Sequence, residues 1–118
     1  MRKFASAVVL LLAGCASPGT AEDFTWSIEA PKTADKGAEF TFVVRALSAA
    51  GQMVDGVKIR YQTVWPGGSP NPLRHRGRTG EPVKVHARVL PGPATILVLS
   101  ENREGMEVKV AETTFEVK

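Results

Sequence analysis

Glu39-Phe40-Thr41-Phe42-Val43-Val44-Arg45-Ala46 puts Phe40, Phe42, Val44 and Ala46 on one side of an extended chain. Glu39, Thr41, Val43 and Arg45 fall on the other side. Successive side chains of a strand point to opposite faces, so this alternation describes a strand with one face in a core and one toward water. Five aromatic or β-branched residues in eight suit a pleated surface better than a helix.

The same period of two recurs on both sides of this segment. Upstream, Phe24, Trp26 and Ile28 alternate with Thr25, Ser27 and Glu29. Downstream, Val57, Ile59, Tyr61 and Thr63 alternate with Lys58, Arg60 and Gln62, and Val83, Val85, Ala87 and Val89 alternate with Lys84, His86 and Arg88. Ala94 to Leu99 is unbroken and apolar apart from Thr95, as expected of a central strand covered on both faces or partly by a neighbour. The last segment changes parity: Val108 and Val110 are even-numbered, whereas Ala111, Thr113, Phe115 and Val117 are odd. A one-residue slip would turn the apolar set to solvent, so a β-bulge near Val110-Ala111 is expected.

Turn-forming stretches separate these runs: Pro31 to Gly37, Ala49 to Gly56, Pro91-Gly92-Pro93 and Asn102 to Gly105. The longest break, Pro66 to Pro82, holds four prolines and four glycines and leaves room for one short edge strand near Leu73 to Arg76. No segment keeps a helical period. The expectation is an all-β sandwich of six strands, with a seventh in the long break, over residues 24–118. That span of 95 residues is enough for one core.

The amino terminus has a different character. Arg2 and Lys3 precede Phe4 to Leu12, which is apolar except for Ser6, the charged-then-apolar layout of an export signal. Nine residues fall well short of the roughly 20 that cross a bilayer as a helix. Leu12-Ala13-Gly14-Cys15 follows. This segment resembles the lipobox of bacterial lipoproteins, in which small residues before a cysteine let an extended chain enter a protease cleft.

The resemblance implies that residues 1–14 are a cleaved signal peptide and that Cys15 carries a thioether-linked diacylglyceryl group, with palmitate-type chains holding the protein to a membrane. Two or three acyl chains at about 0.8 kcal/mol per buried CH₂ would make that attachment stable. Ala16, rather than an aspartate, after the cysteine resembles the outer-membrane sorting class, facing the periplasm, if the envelope is Gram-negative. Cleavage near Gly19-Thr20-Ala21 would instead give a soluble exported protein. Cys15 is the one cysteine, so no disulfide can form within the chain, and lipidation accounts for an otherwise unpaired thiol in an exported protein. Ala16 to Asp23, small and polar, then reads as a tether (residues 15–23 with the lipidated cysteine).

Loss of Arg2 and Lys3 with the signal leaves 13 Lys+Arg against 12 Asp+Glu, a formal charge of +1 in place of +3. The basic balance of the whole chain therefore gives no reason to expect nucleic-acid binding.

Within the expected domain, Gly51-Gln-Met-Val54-Asp-Gly56-Val57-Lys-Ile59 and Leu90-Pro91-Gly92-Pro-Ala-Thr-Ile96 are turn motifs that each lead into a strand. They resemble prealbumin-like or bacterial immunoglobulin-like modules of the carboxypeptidase-regulatory kind. That resemblance implies a β-sandwich and an accessory, non-catalytic role. The antibody pattern is not followed, because a cysteine pair is missing and Tyr61 sits mid-strand.

Candidate binding residues lie in the long break. Arg74-His75-Arg76 with Arg78 is the densest charge cluster, and reads either as an anion- or partner-binding patch or as a solvated loop. Trp65, before Pro66-Gly67-Gly68-Ser69-Pro70-Asn71-Pro72, reads either as an aromatic anchor for a partner or as the end of a core strand. His75, His86, Met53 and Met106 have ligand types suited to Cu(I) but no ligand spacing, so no metal site or cofactor is expected. There is no G-x-S-x-G, H-E-x-x-H or P-loop, and no enzyme is expected. Taken together these features describe a lipid-anchored envelope module that binds or assembles with an envelope protein; the alternative is a periplasmic ligand- or copper-binding lipoprotein.

Overall fold

A computed structural model of the chain describes residues 19–68 and 72–118. The signal segment, Cys15 and the start of the tether lie outside the described residues, as do Ser69, Pro70 and Asn71 of the long loop. Eight strands run in the order β1 Thr25–Glu29, β2 Thr33–Ala34, β3 Glu39–Leu47, β4 Lys58–Val64, β5 His75–Arg78, β6 Val83–His86, β7 Gly92–Glu101 and β8 Glu107–Val117. They form a three-stranded sheet, β1-β3-β6, and a five-stranded sheet, β2-β8-β7-β4-β5.

The alternation quoted first becomes β3, buried at every second residue from Phe40 to Ala46. Phe40, Phe42 and Val44 face Ile59, Ala94, Ile96, Val98, Phe115 and Val117 of the other sheet across one continuous core. β7 lies between β4 and β8; its inward Ala94, Ile96 and Val98 are buried, while Thr95, Leu97 and Leu99 are only half covered. The parity change in β8 is a bulge. Val98 faces Ala111 but Leu99 faces Lys109, so Val110 is the extra residue that keeps Phe115 and Val117 pointing inward.

Three expectations are corrected. The short edge strand is His75–Arg78 instead of Leu73 to Arg76. Gln62 Nε2 holds the Pro72 carbonyl at 2.8 Å and Leu73 is exposed, so pairing with β4 begins only at His75 opposite Tyr61. The strand expected to reach Val89 stops at His86, and Val89 is 71% exposed. β6 and β7 belong to different sheets, and the chain must leave the ladder at Arg88 to cross between them through Leu90-Pro91. β2 is an eighth strand inside the Pro31 to Gly37 turn stretch; it pairs in parallel with the end of β8, so the chain changes sheets after β1.

The end of the expected tether is also part of the folded unit. Ala21–Asp23 forms a 3-10 turn with Ala21 buried. Asp23 accepts from the Thr20 N–H at 2.8 Å, and the Trp26 indole N–H donates to the Ala21 carbonyl at 3.0 Å. From the β7–β8 hairpin, the Arg103 N–H donates to both Glu22 oxygens at 3.1 Å and its guanidinium meets Asp23 Oδ1 at 2.6 Å. The Arg103 amide holds Glu22, and the Thr20 amide holds Asp23, below the ordinary carboxylate range. Groups whose acidity rises on folding add stability while charged, and that contribution goes as pH falls through their lowered values. Acidification below the ordinary carboxylate range should therefore release this latch before the core unfolds. The Trp26 indole N–H resonance should shift and exchange faster while core amides stay protected; simultaneous loss of both would count against a separate latch.

Candidate functional site

β5 is one edge of the five-stranded sheet and β6 one edge of the three-stranded sheet, and a surface opening lies between them. The opening is a cleft of about 610 Å³, within the range of ligand sites. Its floor continues the inward face of β4: Tyr61, then Thr63, then Trp65 just past the strand end. His75 stacks on Tyr61 at 5.2 Å between ring centres, and Tyr61 in turn meets the edge of Phe42 at 5.4 Å. Burial pushes the Tyr61 hydroxyl above its ordinary range, so it is a neutral donor at neutral pH. Trp65 packs edge-on to Phe40 and Phe115, and the Arg88 guanidinium lies 5.9 Å from its ring centre. Lys84, Val85 and His86 of β6 form the opposite wall, and among the described residues no carboxylate lines the cleft.

Trp65 is thus a core-packing residue at a strand end that also forms part of the cleft floor. The arginine cluster is divided by the pleat of β5. His75 and Gly77 turn inward; a Cβ on Gly77 would touch Ile59 and Tyr61 at 3.5 Å. Arg76 and Arg78 turn outward, to a groove shared with Lys58, Arg60, Glu81, Glu101 and Glu107. Arg74 and Arg60 both pair with Glu107, at 2.6 and 3.3 Å, and Arg78 donates to the Gly56 carbonyl at 3.2 Å. The outer arginines are therefore largely answered by carboxylates and backbone, whereas the inner side of the same segment meets an acid-free cleft. The four candidate copper ligands are also divided. His75 and His86 line the cleft, while Met53 bridges Leu47 and Met106 closes the β7–β8 hairpin at the other end of the sandwich.

Sequence reading did not assemble Tyr61, Thr63, Lys84, Val85 and Arg88 into this site. A local signal existed only for the strand itself: Lys84 and His86 alternate with Val83 and Val85, one polar face and one apolar.

No family model matches the chain, and no curated protein matches it. Solved structures similar to it in fold include the following two. The superoxide reductase (neelaredoxin) from Ignicoccus hospitalis is 18% identical, with 80% of each chain covered and a TM-score of 0.53. The Lin-41 filamin domain is 18% identical, with 88% of this chain and 95% of that one covered and a TM-score of 0.52. At such identities the likeness concerns the fold, and with the two sheets above it makes this chain an all-β, immunoglobulin-like sandwich.

Proposed function

We propose that the chain is a lipid-anchored, non-enzymatic binding module of the cell envelope, attached through Cys15 and engaging an envelope protein at the open side of the sandwich. The observation that carries this reading is the cleft: an aromatic floor of Tyr61 and Trp65 met by the His75 ring and the Arg88 guanidinium, with no carboxylate among the described lining residues. Aromatic and arginine side chains grouped in a concave site are the usual anchors of recognition. The lipobox resemblance at Leu12 to Cys15 supports attachment to a membrane, and the Gly51 to Ile59 and Leu90 to Ile96 turn motifs support an accessory module. In a Gram-negative cell the expected place is the periplasmic face of the outer membrane.

One experiment in cells tests both parts. A photo-crosslinking residue is placed at Leu73 on the cleft rim or at Thr114 on the outer face, in the native chain and in Cys15→Ala. The native chain should sediment with membranes, incorporate labelled palmitate and give discrete protein adducts from position 73 alone. Cys15→Ala should move to the soluble fraction with no label. A membrane-bound, labelled Cys15→Ala protein would overturn the anchor, and equal adducts from both positions, or none, would overturn the cleft as the binding site.

A further inference from the structure

The backbone of β6 makes the cleft more specific than a basic pocket. Ala87, opposite Ala38, donates its N–H to the Ala38 carbonyl at 2.9 Å, so the amide of residue 87 points toward β3. Along an antiparallel pair, residues alternate between turning their N–H and C=O toward the partner and away from it. His86 and Lys84 therefore direct their backbone groups away from β3, into the cleft whose wall they form. Their side chains follow the other alternation: Lys84 lies opposite Thr41 and His86 opposite Glu39, on the outer face of the three-stranded sheet. Val83 and Val85, opposite Phe42 and Phe40, point inward.

We propose that the β6 edge accepts an extended peptide segment as an added strand, with apolar side chains alternating with acidic ones. This rests on the reading above that the open side is a binding surface. Main-chain bonds to Lys84 and His86 would hold the segment, since an unpaired edge is a ready template for another strand. Its inward side chains would drop between the sheets onto Tyr61, Trp65 and the His75 ring, which calls for apolar residues. Its outward side chains would lie beside Lys84, where an opposite charge is favourable. The same Lys84 disfavours a second copy of this chain, because edge-to-edge pairing of two β6 strands sets basic residues against basic residues.

The test uses the whole protein purified in detergent, with an acetylated, amidated (Glu-Val)₄ peptide as probe. A Glu₄Val₄ block peptide and (Lys-Val)₄ serve as controls. The alternating acidic peptide should bind and slow amide exchange at Lys84 and His86, and neither control should. Lys84→Pro removes an edge donor that the β3 ladder does not use, a position at which an edge strand tolerates proline. It should weaken binding about tenfold with an unchanged near-UV spectrum. Should that variant unfold, protection of the His86 amide in the native chain decides the matter. Binding without slowed exchange at Lys84 and His86, equal binding of the block peptide, unchanged affinity in a folded Lys84→Pro, or dimerisation through β6 would each overturn strand addition. If the peptide fails while adducts at position 73 persist in cells, strand addition falls and the binding-module reading stands; if both fail, both fall.

Discussion

Phe42→Ala should lower the stability of the sandwich by about 3–5 kcal/mol, the cost of deleting a fully buried aromatic ring and leaving a cavity that its neighbours only partly fill. Phe42 is 0% exposed and sits in the middle of β3, where its ring meets Tyr61 edge-on at 5.4 Å. A domain of this size has about 5–15 kcal/mol in total, so the loss is a large share of it. At roughly 4–8 °C per kcal/mol, the melting temperature should fall by roughly 12 °C or more. Phe42→Leu keeps most of the volume and should cost less than about 1.5 kcal/mol. Thermal melts followed by circular dichroism separate the two, and a fall of under about 5 °C for Phe42→Ala would show that the sheets close over the gap. Because Tyr61 leans on Phe42, the alanine variant should also loosen the cleft floor and weaken the binding proposed for it beyond its effect on folding.

The second large effect is expected at Thr79. Its side chain is 1% exposed; Oγ1 accepts from the Val57 N–H at 3.0 Å and donates to the Val54 carbonyl at 2.7 Å. The Thr79 backbone adds two more bonds, donating to the Val57 carbonyl and accepting from Gly56, each at 3.0 Å. One residue thus fastens the whole turn ahead of β4 to the strand that follows the long loop. Thr79→Val has nearly the same shape but strands a buried donor, the Val57 N–H, and a part-buried acceptor, the Val54 carbonyl; at about 1–3 kcal/mol each, about 2–6 kcal/mol is expected in chemical denaturation. Thr79→Ser keeps both bonds and loses one methyl, about 0.8 kcal/mol. Equal midpoints for the two variants would mean that water replaces the hydroxyl and that the turn does not depend on it.

Much of this architecture was legible because strands carry their own code. β3 was readable from eight residues, and the bulge at Val110 from a change of parity alone, since a strand cannot alter its buried face without an extra residue. Gly56 and Gly92, picked out by their turn motifs, do have positive φ, at 83° and 134°. What stayed hidden depended on partners distant in sequence. The fold reaches back to Thr20 because Glu22 and Asp23 meet Arg103, about 80 residues on, and nothing near Ala21 announces that partner. The start of β5 was misplaced because Gln62, in another strand, detains Pro72. The cleft was invisible for the same reason: β4, β5 and β6 converge on it only once the chain has divided between two sheets. The arginine cluster looked like one patch because sequence adjacency hides the pleat that sends His75 inward and its neighbours out.

The latch at Glu22 and Asp23 has a consequence for where such a molecule can act. With residues 20–23 folded onto the β7–β8 hairpin, only five chain steps separate Cys15 from the domain, a span of at most about 18 Å. Trp65 lies at the far end of β4 from that hairpin, seven residues beyond Lys58 and so about 23 Å further out. For a domain anchored as proposed, the working radius is therefore about 40 Å from the lipid surface. Whatever segment enters the open side has to be delivered into that shallow shell, which selects partners that are themselves bound to, or rise only a short way from, the same leaflet.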